Sequence, residues 1–273
     1  MPKGLNEIEL TLFDTETTGL TPKLGDRIVE IAAVRIKADK KLASFQSLVD
    51  PGRPISPAAF AVNRITAEML KGAPSGEKVI PEFLDFLKGS YLCSYNVGFD
   101  LGFLNHELQL IGRPILEDMV TIDVLKMAKR LLPGLERYAL WFVAERLGIK
   151  KVQEHRAFSD VELTLAVFYK LKEVAEAKGL DQLAHFSRLF GLNSQATENL
   201  HNQKLAEIQE AINLGVTIKI KYLSSSTAQV TERQVTPKEI RQEKNASYLV
   251  GYCALRKDER TFRVDNILDL EIL

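Results

Sequence analysis

Residues 8–20 read IELTLFDTETTGL, and the reading of that stretch decides the fold. Its apolar first half predicts a β-strand that ends in a Thr-Gly-Leu turn. Side chains alternate across a strand, so Asp14 and Glu16 share one face, about 7 Å apart at Cα, while Thr15 points to the other. Two carboxylates placed in this way repel each other unless a cation lies between them. Hard oxygen ligands of this kind suit Mg²⁺ or Mn²⁺. A pair of solvated acids in a turn is the plainer alternative at this point.

Outward from there, 28–36 (IVEIAAVRI) and 42–49 (LASFQSLV) read as two more strands, which gives an antiparallel three-strand meander. The pattern then changes. Residues 79–88 and 99–111 have helical spacing, and 91–95 (YLCSY) is a short buried strand. Residues 118–122 predict a strand, followed by a helix to about Arg130 and an amphipathic helix over 137–148. A long helix at 157–176 carries Leu163, Val167, Leu171 and Val174 on one stripe. Three strands followed by alternating helices and strands predict a mixed α/β sheet with flanking helices over residues 1–178. Residues 179–201 read as a linker with a short helix in its first half. Residues 202–273 predict a helix at 204–214 and short strands at 216–223, 229–235, 247–253, 260–264 and 267–272, as in a small barrel or curled sheet.

The chain has 273 residues, with 36 Lys+Arg balanced by 36 Asp+Glu, so any hold on nucleic acid must come from local patches rather than global charge. Cys93 and Cys253 have no spacing that suggests a disulfide framework or a zinc site. The opening MPKGLNEIEL lacks the apolar core of a signal peptide, and no apolar run approaches the roughly 18 residues of a membrane span. A soluble, cytoplasmic protein with no membrane partner is expected. No phosphate-loop or G-x-S-x-G motif occurs, which leaves an ATPase or a serine hydrolase without support.

Two further segments carry chemistry. In Tyr95-Asn96-Val97-Gly98-Phe99-Asp100 a strand runs into a helix, and Asp100 falls in the first turn, where a carboxylate is also favoured simply by the helix dipole. In Glu154-His155-Arg156-Ala157-Phe158-Ser159-Asp160, a loop histidine precedes an acid in the first turns of the long helix. Taken alone, these are a surface histidine and a capping residue.

Together the three segments, in this order and spacing, resemble the DEDD exonuclease family. The branch they resemble has a histidine in its third motif and includes the proofreading subunit of bacterial replicative polymerases and oligoribonuclease. The resemblance covers about residues 8–177, including 62–70 (VNRITAEML). Tyr95 departs from it, since many relatives carry histidine there. The resemblance implies a ribonuclease H-like fold and two Mg²⁺ (or Mn²⁺) ions held by Asp14, Glu16, Asp100 and Asp160, with His155 as the general base. Thr15, Thr17, Leu20, Asn96 and Phe99 would contact the terminal nucleotide, with Phe99 shared between core and cleft wall. The partner implied is a nucleic acid with a single-stranded 3′ end, most simply DNA. An RNA-trimming enzyme and a nucleotide-sensing regulator remain the alternatives; a polymerase or repair partner and the oligomeric state are left open.

From residue 205 onward the sequence resembles the WYL domain, which implies a small Sm-like barrel. The matching stretches are AINLGVTIKIKYL, TERQVTP, SYLVGYC and RTFRVDNI. The resemblance implies binding of nucleic acid or a ligand through Arg233, Tyr248, Tyr252, Arg260 and Arg263. Ser247 stands in place of the namesake tryptophan, and Asn266 in place of a common arginine.

Overall fold

A computed structural model describes residues 4–117, 119–192, 195–244 and 246–273. The first strands, β1 (Glu9–Thr17), β2 (Ile28–Lys37) and β3 (Lys40–Leu48), form the antiparallel meander. After α1 (Pro57–Asn63) and α2 (Gly76–Leu87), β4 (Tyr91–Ser94) adds parallel to β1. Next come α3 (Val97–Leu110) and β5 (Thr121–Asp123), the latter parallel to β4. The sheet order is β3-β2-β1-β4-β5, the mixed sheet expected. Asp118, the first residue of the predicted 118–122 strand, lies outside the described residues, as do Asn193 and Ser194 of the predicted linker.

The pleat divides the core. Leu10 and Leu12 of β1, with Ala32, Val34 and Ile36 of β2, face α4 (Val124–Leu131), α5 (Leu140–Arg146) and α6 (Ala157–Glu176). Phe13, Ile31 and Ala33 face the other way, against α2 and α3. Helix α6 packs across β1 and β2, and its buried stripe of Leu163, Val167 and Leu171 continues N-terminally to Asp160, which is also buried. A carboxylate on the apolar face of a core helix is the price of delivering it to the sheet's end.

Within the expected linker, α7 (Leu183–Phe190) buries Phe186, Leu189 and Phe190 in the first core, and α8 (Gln195–Leu214) begins nine residues before the predicted helix. The C-terminal strands are β6 (Ile218–Leu223), β7 (Val230–Glu243), β8 (Ala246–Cys253), β9 (Asp258–Arg263) and β10 (Ile267–Ile272). The expected closed barrel is instead a five-stranded antiparallel sheet in the order β10-β6-β7-β8-β9, with no pairing of its edge strands among the described residues. Closure is not needed to bury its inner face. Ile208 and Ala211 of α8 cover Ile218, Ile220, Val235 and Leu249, and a single turn at Val264–Asn266 separates β9 from β10. Strand β7 runs on past the predicted end at 235, through a register shift between Pro237 and Glu239. Leu223 and Leu268 of this second sheet join the first core, so the two halves share a packed boundary. No helix among the described residues is long and apolar enough to cross a membrane.

Candidate active site

Asp14, Glu16 and Asp160 each offer a carboxylate oxygen within 4.8 Å of the others. Asp14 and Glu16 come from the α6-facing side of β1, and Asp160 from the start of α6. Asp100 reaches the same cleft from α3, on the opposite face of the sheet, which is why it stands outside that tight trio. Its Oδ1 accepts from the Thr15 backbone N–H (3.0 Å) and Oγ–H (2.7 Å), and Ser94 Oγ–H donates to Oδ2 at 2.6 Å.

The electrostatics are those of carboxylates crowded out of water. Burial raises the Asp14 pKa well above the carboxylate range, and the charges of Asp100, Glu16 and Asp160 raise it further. Glu16 is pushed up to about 8 by burial, then by Asp160 and Glu30. Asp100 rises to about 6 through burial, although bonds from Ser94 and Thr15 oppose the rise. Asp160 is raised by burial against a bond from Gln153 Nε2 to Oδ2 (2.8 Å).

These acids line a cleft of about 630 Å³ together with Thr15, Thr17, Leu20, Phe99 and His155. His155 sits at the mouth with its side chain 45% exposed, Nδ1 being 3.9 Å from Asp160 Oδ2. Its φ of +52° turns the chain into α6. Leu20 is exposed on the rim, and Phe99 packs on Phe103 with ring centroids 5.0 Å apart, so it serves both core and wall. Asn96, expected to touch substrate, is absent from the cleft lining; with φ +72° it makes the left-handed turn into α3. The turn after β1 is held by Asp26, which accepts from Thr18 Oγ–H and Thr21 N–H, both at 3.1 Å. A side chain at Gly19 would collide with that carboxylate.

Sequence reasoning missed the support around the acids. Arg156 forks onto buried Glu30, with Nε–Oε2 at 3.0 Å and Nη2–Oε1 at 2.9 Å, and the Ala157 N–H adds a third bond at 3.1 Å. Burial alone would raise the Glu30 pKa, but the bonds from Arg156, Gln46 and Ala157 outweigh it and lower it. This pair ties the start of α6 to β2 and so fixes Asp160. The signal was present: a lone glutamate inside IVEIAAV stays charged when buried only beside a cation. Asn63 was missed as well; its Nδ2 donates to the Thr17 carbonyl at 3.2 Å, bracing the rim.

Among known families, the Exonuclease family, RNase_T, matches residues 11–168. The chain belongs to the exonuclease family. The WYL domain family matches residues 203–272. This exonuclease-family chain is 38% identical over 180 residues to a DNA polymerase III subunit epsilon-like protein of Rhodobacter capsulatus, covering 64% of the chain and 25% of that relative. It is 34% identical over 181 residues to a DNA polymerase III PolC-type of Caldanaerobacter subterraneus subsp. tengcongensis, covering 66% of the chain and 13% of that relative. The chain thus spans a quarter or less of the length of these two relatives. Among solved structures, an E. coli ExoI–ssDNA complex aligns with a TM-score of 0.57 at 17% identity, over 89% of this chain and 54% of that one. The nuclease domain of 3′hExo, a DEDDh family member bound to rAMP, aligns with a TM-score of 0.54 at 17% identity, over 64% and 95%. At such identities these alignments speak for the fold.

The five residues singled out in the WYL region lie on the adjacent strands β7, β8 and β9. Arg233 Nε donates to Thr231 Oγ1 at 3.0 Å, and its guanidinium lies 5.8 Å from the Phe262 ring centre. Arg260 is exposed beside Asp258 at 3.5 Å, and Arg263 pairs with Asp265 at 2.9 Å. Tyr248 is half-buried opposite Arg263 in the β8–β9 register, whereas Tyr252 is exposed opposite Glu259. Both departures from the WYL pattern have a structural role. Ser247 Oγ lies 3.0 Å from His201 Nε2, and Asn266 Oδ1 accepts from Arg130 across the boundary between the halves.

Proposed function

We propose that this chain is a metal-dependent 3′–5′ exonuclease that removes terminal nucleotides from nucleic acid, DNA in the first instance. Residues 1–178 form its catalytic domain, 179–201 a connection and 202–273 a module that binds nucleic acid or a ligand. The observation that carries the reading is the trio Asp14, Glu16 and Asp160 with Asp100 beside it. Acids raised this far by mutual repulsion and burial form a site that is unfavourable until a cation enters. An all-oxygen, strongly anionic donor set fits Mg²⁺ or Mn²⁺, and we assign two such ions. When bound, the ions neutralise charge on the reacting phosphate and acidify a water.

The chain's own residues do the rest. Thr15, Thr17, Leu20 and Phe99 wall the space for the terminal nucleotide. His155, at the mouth and beside Asp160, accepts the proton as water oxygen bonds to phosphorus and the bond to the 3′-oxygen breaks. Asp160 orients the imidazole, and Arg156–Glu30 keeps Asp160 in place. The DNA polymerase names of the two relatives favour DNA over RNA. The test is a 5′-labelled single strand of DNA, and its RNA counterpart, incubated with Mg²⁺. A ladder shortening from the 3′ end, faster on DNA and lost in Asp160→Asn, is expected; no shortening of either strand would overturn the reading.

A further inference from the structure

A second cavity, of about 520 Å³, lies where the two halves meet, within the roughly 300–1,000 Å³ range of small-ligand sites. Six cations wall it: Lys126, Lys129 and Arg130 from α4, Arg188 from α7, Lys204 from α8 and Arg263 at the end of β9. Among the described residues only two carboxylates, Glu198 and Asp265, share the lining, in a chain whose charges otherwise balance.

Asp265 is already engaged by Arg263 at 2.9 Å and by His201 at 3.0 Å. Four of the other five cations rest on uncharged acceptors. Lys126 Nζ donates to the Gly191 carbonyl at 2.6 Å, Arg130 to the Asn266 side chain, Arg188 to the Leu268 carbonyl and Lys204 to the Ile267 carbonyl. Arg188 Nε is buried with no partner. Two other cations beside the core are met by a buried carboxylate, Arg27 by Glu107 and Arg156 by Glu30. Here two lining carboxylates face six cations. Burial lowers the pKa of Arg188 to about 10 and that of Lys204 to about 7, the latter pushed further by Arg188. Burying cations without an anion is costly, and an incoming anion removes that cost.

The lining has guanidinium forks and ammonium groups but no Phe, Tyr or Trp face on which a base could stack, so it suits phosphates. We propose that this cavity binds a multiply phosphorylated small anion, of the nucleoside polyphosphate or inorganic polyphosphate class, gripped through its phosphates by cations from both halves. The proposal does not depend on the acid cleft. Around Lys204 stand Arg188 on α7, Glu207 on its own helix, Asp265 in the turn after β9 and Asp269 on β10. An anion favours the charged lysine, so affinity falls as pH rises through about 7.

The test is calorimetric titration of the full chain, in EDTA to keep the acid cleft free of metal, with inorganic tripolyphosphate and separately with ATP. Binding of tripolyphosphate, with or without ATP, supports the proposal; binding of ATP alone would overturn a grip through the phosphates. Lys204→Met and Lys129→Glu should each weaken it by about tenfold or more. Lys129 is exposed, so that variant reads the site even if the buried change disturbs folding. Lys204→Met without ligand should melt no lower than the natural chain, which a purely structural lysine would not allow. No binding of either probe at millimolar concentration, equal affinity in Lys129→Glu, or capture of a single-stranded oligonucleotide alone would each overturn the proposal.

Discussion

The acid cleft and the basic cavity are the same electrostatic problem with opposite signs. In each, several like charges are held away from water, and each is relieved in part by neutral partners. Ser94, Thr15 and Gln153 donate to the acids. Gly191, Asn266, Ile267 and Leu268 accept from the cations. They differ in how the chain assembles them. The cleft gathers side chains from a strand end and two helix starts within one sheet. The cavity draws on α4, α7, α8 and β9, and exists only once the two halves have packed. A charge cluster made by local geometry announces itself in sequence; one made by an interface does not.

The sharpest way to break the comparison is to remove one charge from the cleft. Asp14→Asn or Asp160→Asn should take Mg²⁺-dependent cleavage below detection while the chain stays folded, as circular dichroism would report. Either variant also removes a repelling charge, so its metal-free melting temperature should match or exceed that of the natural chain. Retained cleavage would mean that the trio is not the site of chemistry. Next in size, His155→Gln should lower the rate by roughly 10²–10⁴-fold with substrate binding intact. A variant within a few-fold of the natural rate would assign the proton to bulk water.

Stability against pH separates the two clusters by sign. Glu16 loses its proton near 4.5 in the unfolded chain but only near 8 in the folded, metal-free protein. Between those values the folded state binds more protons, so stability falls as pH rises, and it levels off above 8. Lys204 runs the other way. Its ordinary pKa is 10.5 and its folded value about 7, so over that window the unfolded chain holds the extra proton and stability rises with pH. Thermal melts in EDTA should show a falling limb that Glu16→Gln makes shallower and a rising limb that Lys204→Met makes shallower. Each limb should amount to a few kcal/mol, at about 1.4 kcal/mol for each tenfold change in proton affinity. Mn²⁺ should flatten the first limb, and at a hundred times its dissociation constant should stabilise by about 2.7 kcal/mol. A flat metal-free profile would mean that the acids are not crowded in solution.

How much was legible follows from the same contrast. The meander, the long helix at 157–176 and the acids of all three motifs could be read because periods of two and of three to four fix faces locally. That Asp100 comes from the opposite face of the sheet could not be read, since it depends on which side α3 packs. Glu30 was readable in principle, as a charge stranded in an apolar strand, but its partner Arg156 is 126 residues away. The short helix expected in the first half of the linker is α7, but the polar Asn-Ser-Gln-Ala-Thr after it gives no sign that its Phe186 and Phe190 belong to the core. The C-terminal strands allow a barrel or a curled sheet, because short strands with turns between them describe both equally well, and the sheet stays open.

The smallest expected effects test the neutral partners themselves. Ser94→Ala removes one donor to Asp100, whose pKa of about 6 already reflects burial only partly offset by hydrogen bonds. Without Ser94 that carboxyl holds its proton to higher pH, so at neutral pH a cation must displace it. Mn²⁺ affinity should drop several-fold and recover in alkaline buffer. Asn266→Ala is the counterpart in the cavity, since it takes away the neutral acceptor of Arg130. A guanidinium cannot escape by losing its proton near neutral pH, so its charge stays unmet. The ligand-free chain should lose about 1–2 kcal/mol, and tripolyphosphate should bind more tightly because it now supplies the missing acceptor. Paired calorimetric titrations of the two variants decide the matter. Weaker cation binding in one and tighter anion binding in the other follow from the fact that a carboxyl can neutralise itself at neutral pH and an arginine cannot. A loss of tripolyphosphate binding in Asn266→Ala would show instead that this asparagine positions Arg130 for the ligand.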